Sequence, residues 1–489
     1  MTRSASHFVR PSWLVCLYLA AASALAAQEA AHAPPWNVRG LGPLPRMGVT
    51  SLDVSDDGKE IVVGTIAAFG DPNVIVLDDA GKIARQYRVG QRWIDRVAFL
   101  PGSRDVIAIC TMPGGRAGDR VEAFLLKGDK VIPDKLKEEG PWFFHYGDHS
   151  NHPTMQLARA RNATALLAGN QLVIHRAGKK PSTLRVPVSD PDASVSLAVD
   201  DGGWAVVGVT SRDREGASNL YLFDPNQKKP VWSRAVNKEV ETAPALEKGR
   251  YGTPTLPDGK RAELPQRDEK VWAPLAVAVH SAGPQKLIAV ADYQGWQRWV
   301  RSSATMRDDN QGLRFMPTKP TITVYDETGK VVRRFPANTF KAAFWCDMRF
   351  APDGKTLHLW TRLWRSRGLA GQAFLPTDER ADTLYSLAIQ SGKVESEHAP
   401  LYLAVSREGD IVASFWNGRL LGGDLATLDI GGPALACFAP DGAMFFAASS
   451  KGVVARFRFG GKAAWQTDLN KVVPKSPKPW VERARATPI

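Results

Sequence analysis

The chain has 489 residues, 44% of them apolar and 23% charged, and 63 Lys and Arg against 50 Asp and Glu give a formal charge of +13. That apolar share excludes a mainly disordered chain, and the length admits two or three ordinary domains or one large all-β domain. Four cysteines make no disulfide framework: Cys16 lies in an N-terminal apolar run, and Cys110, Cys346 and Cys437 each sit in a strand-like run where a thiol is a small buried hydrophobe.

The first 27 residues have the form of a secretory leader. Arg3 and Arg10 precede the run WLVCLYLAAASALAA, which is short for a membrane span and ends in small residues that suit cleavage. The mature chain is therefore expected to be exported, to a periplasm or the extracellular space, with no transmembrane span, since no second long apolar stretch follows. Losing the leader lowers the formal charge by two. Residues 28–48 read as a linker or a closing strand. Export leaves little occasion for a nucleic-acid partner.

Between residues 49 and 470 the sequence repeats. FAPDG occurs at 350–354 and again at 438–442, with relatives DVSDDG from Asp53, FLPG from Phe99, VDDGG from Val199 and VSREG from Val405. Each is followed by a short run rich in strand formers, such as EIVVGT, VIAICT, WAVVGVT, TLHLWTR and AMFFAASS. A strand, a tight Gly-bearing turn and a second strand make a β-hairpin. A second turn word recurs further on in several units: VLDDAGK ending at Lys82, VYDETGK ending at Lys330 and LAIQSGK ending at Lys393. Each unit thus predicts four antiparallel strands, A to D. The A–B turns fall near 58, 102, 162, 202, 283, 354, 409 and 442, which gives eight units, with seven as the alternative count. Four-stranded sheets repeated along a chain predict an all-β fold, a β-propeller. The last segment, 471–489, is a basic, Pro-rich tail, either solvated or in contact with an anionic surface.

FAPDGKTLHLWT, FAPDGAMFFAAS, the Asp-x-x-Gly-Lys turns at Asp78–Lys82 and Asp326–Lys330, and KAAWQTDL from Lys462 resemble the repeats of PQQ-like and WD40-like propellers. The resemblance covers most of residues 49–470 and implies a fold, not a reaction. PQQ itself is not expected, because the adjacent cysteine pair common in PQQ-dependent dehydrogenases is missing.

Consecutive connections of a meander alternate between its two ends, so A–B and C–D turns share one side of a propeller and B–C and D–A connections share the other. FAPDG is then an architectural corner. The long connections, at 112–120, 211–218, 294–319 and 362–382 between B and C, and at 140–153 and 237–270 between D and A, all belong to the opposite side. A scaffold with short turns on one side and long, varied loops on the other presents a binding surface.

Three groups of residues carry candidate chemistry. In FFHYGDHSNHP, His145, Asp148, His149 and His152 could hold Zn, Mn or Ca, although H-x3-H-x2-H is no strong zinc signature and the same loop could contact a ligand without metal or be merely solvated. In DYQGWQRWVR, Asp292, Trp296, Arg298, Trp299 and Arg301 suit stacking on a sugar or aromatic ring beside a guanidinium for carboxylate or sulfate; the bland alternative is that both tryptophans cover the blade. At the starts of two A strands, Trp93 with Asp95 and Trp345 with Asp347 would line a channel. Their offsets from the following Phe differ by one residue, which a period-2 strand would translate into different faces. No GxSxG, HExxH, P-loop or CxxCH occurs, so common hydrolase, zincin, nucleotide and haem readings lack local support. The leading expectation is a non-catalytic propeller that binds a protein or glycan partner, anionic in one version, with no cofactor. The alternative is a metal-assisted glycan lyase or hydrolase.

Overall fold

The apolar runs that follow each turn are too short for helices and rich in β-branched and aromatic residues, and they pair as antiparallel strands. The computed structural model describes residues 47–474 except 68–70, 90–92, 113–118, 143–154, 188–194, 210, 213–217, 236–267, 283–284, 302–310, 316–319, 341–344, 352, 363–382, 399–401, 406–410, 415–418, 423–427, 430–433, 440–443, 450 and 459–462. Among the described residues the helical pieces are one 3-10 turn, Ala337–Thr339, and one short helix, Leu469–Val472.

The strands form seven hydrogen-bonded sheets. One of them has eight strands because two four-stranded meanders, in residues 47–87 and 93–142, meet through a single pair, Ile66 with Trp93. The other six hold one meander each, in residues 155–185, 195–234, 268–335, 345–398, 402–429 and 434–468. The described residues thus form four-stranded units in seven hydrogen-bonded sheets, one of which joins two meanders.

The first strands of the units form an inner ring. Strand A of unit 1, Met47–Val54, lies against strand A of unit 2, Trp93–Phe99, and against strand A of unit 8, Ala434–Phe438. The A strands of units 2 to 6 are neighbours in sequence order, as are those of units 7 and 8. Radial packing with A innermost and unit 8 meeting unit 1 is the architecture of a β-propeller.

The core consists of layers between adjacent units. In strand B of unit 1, Ile61 and Val63 pack with Phe446 and Val454 of unit 8, while Val62 packs with Val97 and Phe99 of unit 2. A strand buried on both faces needs an unbroken apolar run, which is why the sequence reads IVV there and LIAVA in unit 5. Cys110 and Cys346 are buried in such layers.

The turn side is tied from unit to unit. The backbone N–H of Gly102 in unit 2 donates to Asp56 of unit 1 at 2.6 Å, and that of Asn162 in unit 3 donates to Asp201 of unit 4 at 3.2 Å. Ser281 of unit 5 donates to Asp200 of unit 4, and Arg333 of unit 5 donates to the Ile389 carbonyl of unit 6 at 2.8 Å. At the closure, Trp465 donates to the Asp79 carbonyl at 2.8 Å and Thr467 to the Gly81 carbonyl at 2.7 Å.

The FAPDG turn fits this side in two ways. Gly354 has φ +67°, and its N–H donates to the Ala351 carbonyl at 2.9 Å. A Cβ on it would also stand 2.8 Å from Cδ2 of His280 in unit 5. Glycine is needed both for the turn and for the approach of the next unit. Residues 440–443 of the second copy lie outside the described residues, and beside them the Ala439 N–H donates to the Met444 carbonyl at 2.8 Å.

Candidate functional site

One B-strand rung near the long-loop side is a recurring position. In unit 1 it is Thr65, whose hydroxyl donates to the Asn73 carbonyl of strand C at 3.2 Å, and in unit 6 it is Thr361, donating to the Thr383 carbonyl at 3.3 Å. Unit 5 follows the same register, with Ile288 opposite Tyr325 as Ile61 is opposite Leu77, and four residues on it places Asp292 opposite Thr321. A carboxyl replaces a hydroxyl, and it is only 4% exposed. Burial pushes its pKa up to about 7, with Arg334 on the neighbouring D strand pulling the other way.

Beyond Asp292 the same sheet continues with other outer strands, an extension called the accessory sheet. Strand A of unit 5, Asp268–Ala282, and strand B, Gln285–Arg301, are 15 and 17 residues long. Strand C, Thr321–Asp326, pairs with strand B only as far as Asp292. Past that point strand B pairs with Gln311–Phe315, and strand A with Ser211–Arg212 from the B–C connection of unit 4. The result is an accessory four-stranded antiparallel sheet in the order 211–212, 268–274, 292–301, 311–315. Part of the expected loop at 294–319 and the end of the expected insertion at 237–270 are therefore strand, because each finds an antiparallel neighbour.

The register sorts the candidate residues. Lys270 stands opposite Trp296, and Asp268 opposite Arg298, which is also opposite Arg314. Trp299 stands opposite Leu313, and Arg301 opposite Gln311. With a period of two, Trp296 and Arg298 occupy one face of the sheet and Trp299 and Arg301 the other. Asp292 does not join them; it is buried at the root of the sheet, inside the blade.

The channel candidates separate as well. Trp93 pairs with Thr111 and Trp345 with Arg362, equivalent rungs of units 2 and 6. The aspartates are not equivalent. Asp95 is the extra residue of a β-bulge between Ile94 and Arg96, whereas Asp347 is a regular rung opposite Trp360 and accepts the Met348 N–H at 2.8 Å. The bulge absorbs the one-residue offset seen in the sequence. The A strands of units 1 and 5 are bulged at the same rung, at Thr50 and Leu275, so this inner-strand kink is itself a repeat feature. Thr50 uses it to donate to the Ile94 carbonyl of unit 2.

His145, Asp148, His149 and His152 lie outside the described residues. Among the described residues no group of three or more His, Cys, Asp or Glu is arranged to hold a metal ion, and no helix is long and apolar enough to cross a membrane. Elsewhere on the inner ring, Asp53 is held near Arg159 of unit 3, 3.6 Å away; burial raises its pKa and Arg159 opposes the rise. The sequence reading did not single out Lys270, Trp272 or Arg314, which the register places on strands beside the candidate segment. Their signal was the alternation in DEKVWAP and QGLRF, which becomes meaningful only once a pairing partner is known.

No family model and no curated protein matches the chain. Among solved structures it is similar to Kuenenia stuttgartiensis hydrazine synthase, with 12% identity and a TM-score of 0.42 over 88% of this chain and 100% of that one. It is also similar to the Dos1 propeller, with 11% identity and a TM-score of 0.38 over 87% and 85% of the two chains. A third is the β-propeller domain of Myceliophteria thermophila Cps50 (Swd1), with 11% identity and a TM-score of 0.34 over 82% and 93%. The propeller assignment rests on this chain's own strand order and ring of A strands.

Proposed function

We propose that the protein is an exported, non-catalytic β-propeller that binds a protein or glycan partner on the side of its B–C and D–A connections. The observation that carries this reading is the contrast between the two sides. Asp56, Asp201, Asp200, Ile389 and Asp79 spend turn-side polar groups on the neighbouring unit, whereas the accessory sheet grows from the opposite strand ends. A rigid ring with added structure on one side suits recognition.

The experiment is co-sedimentation of the purified mature protein with the cell-envelope fraction of its own source. Arg301→Glu, in the accessory sheet, should release the protein, and Lys355→Glu, at an exposed residue just after the FAPDG turn, should leave it bound. Release by Lys355→Glu alone would overturn the reading.

A further inference from the structure

We infer that the turn-side end of the central channel binds a small oxyanion, a carboxylate or a phosphate, with Arg349 as its anchor; this goes beyond the partner reading and does not depend on it. The site lies at one rung of the A strands, the second paired rung back from the A–B turn. There Asp53 of unit 1 stands opposite Val62, Arg349 of unit 6 opposite His358, and Cys437 of unit 8 opposite Phe446. Units 2, 3 and 4 have Ala98, Ala158 and Ala198 at this rung, and unit 5, in the register that matches Ile288 to Ile61, has Ala278. In unit 7 the rung is Ala404, opposite Val412. Units 6, 8 and 1 thus carry a guanidinium, a thiol and a carboxyl on one arc of the ring, and units 2 to 5 offer only methyl groups.

Side chains at this rung reach across unit boundaries. Asp53 accepts the Phe99 N–H of unit 2 at 2.7 Å and lies 3.6 Å from Nε of Arg159 in unit 3. Cys437 senses both of its companions: burial pushes its thiol up, the Asp53 carboxylate adds to the rise and the Arg349 guanidinium opposes it. The charges on the arc are unevenly matched. Arg159 pairs with Asp53 and Asp56, whereas Arg349 is exposed and makes no hydrogen bond or ion pair among the described residues. Nε of Arg159, beside Asp53, is a second spare donor, buried with no hydrogen-bond partner. Strand A is innermost, so an exposed side chain on it faces the channel. Arg349 therefore brings a fork of N–H donors to the ring axis, where the methyl groups of four units leave space, and a planar oxyanion can accept two parallel bonds from such a fork. The Asp53 carboxylate on the same arc repels a ligand with several negative charges, so a compact anion of low charge fits best.

The test is isothermal titration of the purified mature protein with sodium acetate and with sodium phosphate, against sodium chloride at equal ionic strength. Acetate presents a carboxylate and phosphate the other oxyanion, so the two arms separate the possible sources, and the chloride comparison needs no variant. The expected result is saturable binding of acetate or phosphate that chloride does not reproduce, weakened about tenfold or more in Arg349→Gln. Arg349→Lys, which keeps the charge but loses the fork, should fall between wild type and Arg349→Gln. Arg96→Gln, which removes an exposed guanidinium from strand A of unit 2 two rungs further from the turn, should bind as wild type does. Unfolding midpoints establish that each variant is folded. No saturable binding of either oxyanion, wild-type affinity in Arg349→Gln, or an equal loss in Arg96→Gln would overturn the inference.

Discussion

Replacing Asp292 by Asn should change how stability depends on pH. The ordinary carboxyl pKa of 3.8 is raised to about 7 in the fold, and the cause is burial. The folded chain therefore holds a proton that the unfolded chain releases between these values, so stability falls as pH rises from about 4 to about 7 and levels off above. Relative to low pH, the raised pKa lowers stability by about 4 kcal/mol at pH 8, where the buried group is ionised, and by about 2 kcal/mol at pH 5, where only the unfolded chain has released the proton. The amide in Asp292→Asn does not titrate and carries no such cost. The stability of Asp292→Asn relative to wild type should therefore increase by roughly 2 to 3 kcal/mol between pH 5 and pH 8. Asp292→Thr, which restores the residue found at Thr65 and Thr361 with a hydroxyl able to donate to the Thr321 carbonyl, should show the same flattening. Urea unfolding of the three proteins at pH 5, 6, 7 and 8 measures it. Parallel pH profiles for wild type and Asp292→Asn would refute the burial argument.

Other consequences follow from single contacts. Gly354→Ala must hold a Cβ at φ +67° and 2.8 Å from His280, so it should lose about 2 kcal/mol in urea unfolding; a loss below about 0.5 kcal/mol would mean that the turn relaxes freely. Asn470→Ala removes the acceptor of the Met47 N–H, 2.9 Å away across the closure, and should cost about 1–2 kcal/mol and speed amide exchange in Met47–Val54 while leaving Val195–Val199 unchanged. Metal analysis of the untagged mature protein offered Zn, Mn and Ca should find no stoichiometric ion; one ion per chain that disappears in His149→Ala would favour the glycan-cleaving alternative.

How much of this the sequence reveals depends on whether the information is local. FAPDG, DVSDDG and the Asp-x-x-Gly-Lys words mark turns because positive φ at Gly58, Gly81, Gly329 and Gly354 is a demand of the nearest few residues. The same locality makes four strands per unit readable, and the parity of connections follows from it. The accessory sheet was not readable, because Ser211–Arg212 pairs with Val271 and Trp272 about sixty residues later. DYQGWQRWVR could be recognised as suited to binding, but 294–319 was expected to be a loop, and nothing local says that residues 293–301 continue strand B. Asp292 gave the opposite error. Its neighbours in sequence suggested presentation to a ligand, whereas its rung in the blade, equivalent to Thr65 and Thr361, buries it. The unequal offsets of Asp95 and Asp347 were a visible trace of the bulge, although the sequence alone does not locate the extra residue.

The central claim is that one side of the ring is closed by its own turns and the other engages a partner. Site-specific photocrosslinking in the cell that makes the protein tests it most directly, with the photoreactive residue placed at Arg212 or Gln311 in the accessory sheet, or at Ser103 or Gln390 on the turn side. The account predicts partner adducts from the first two positions and none from the second two. Adducts from Ser103 and Gln390 alone would contradict it.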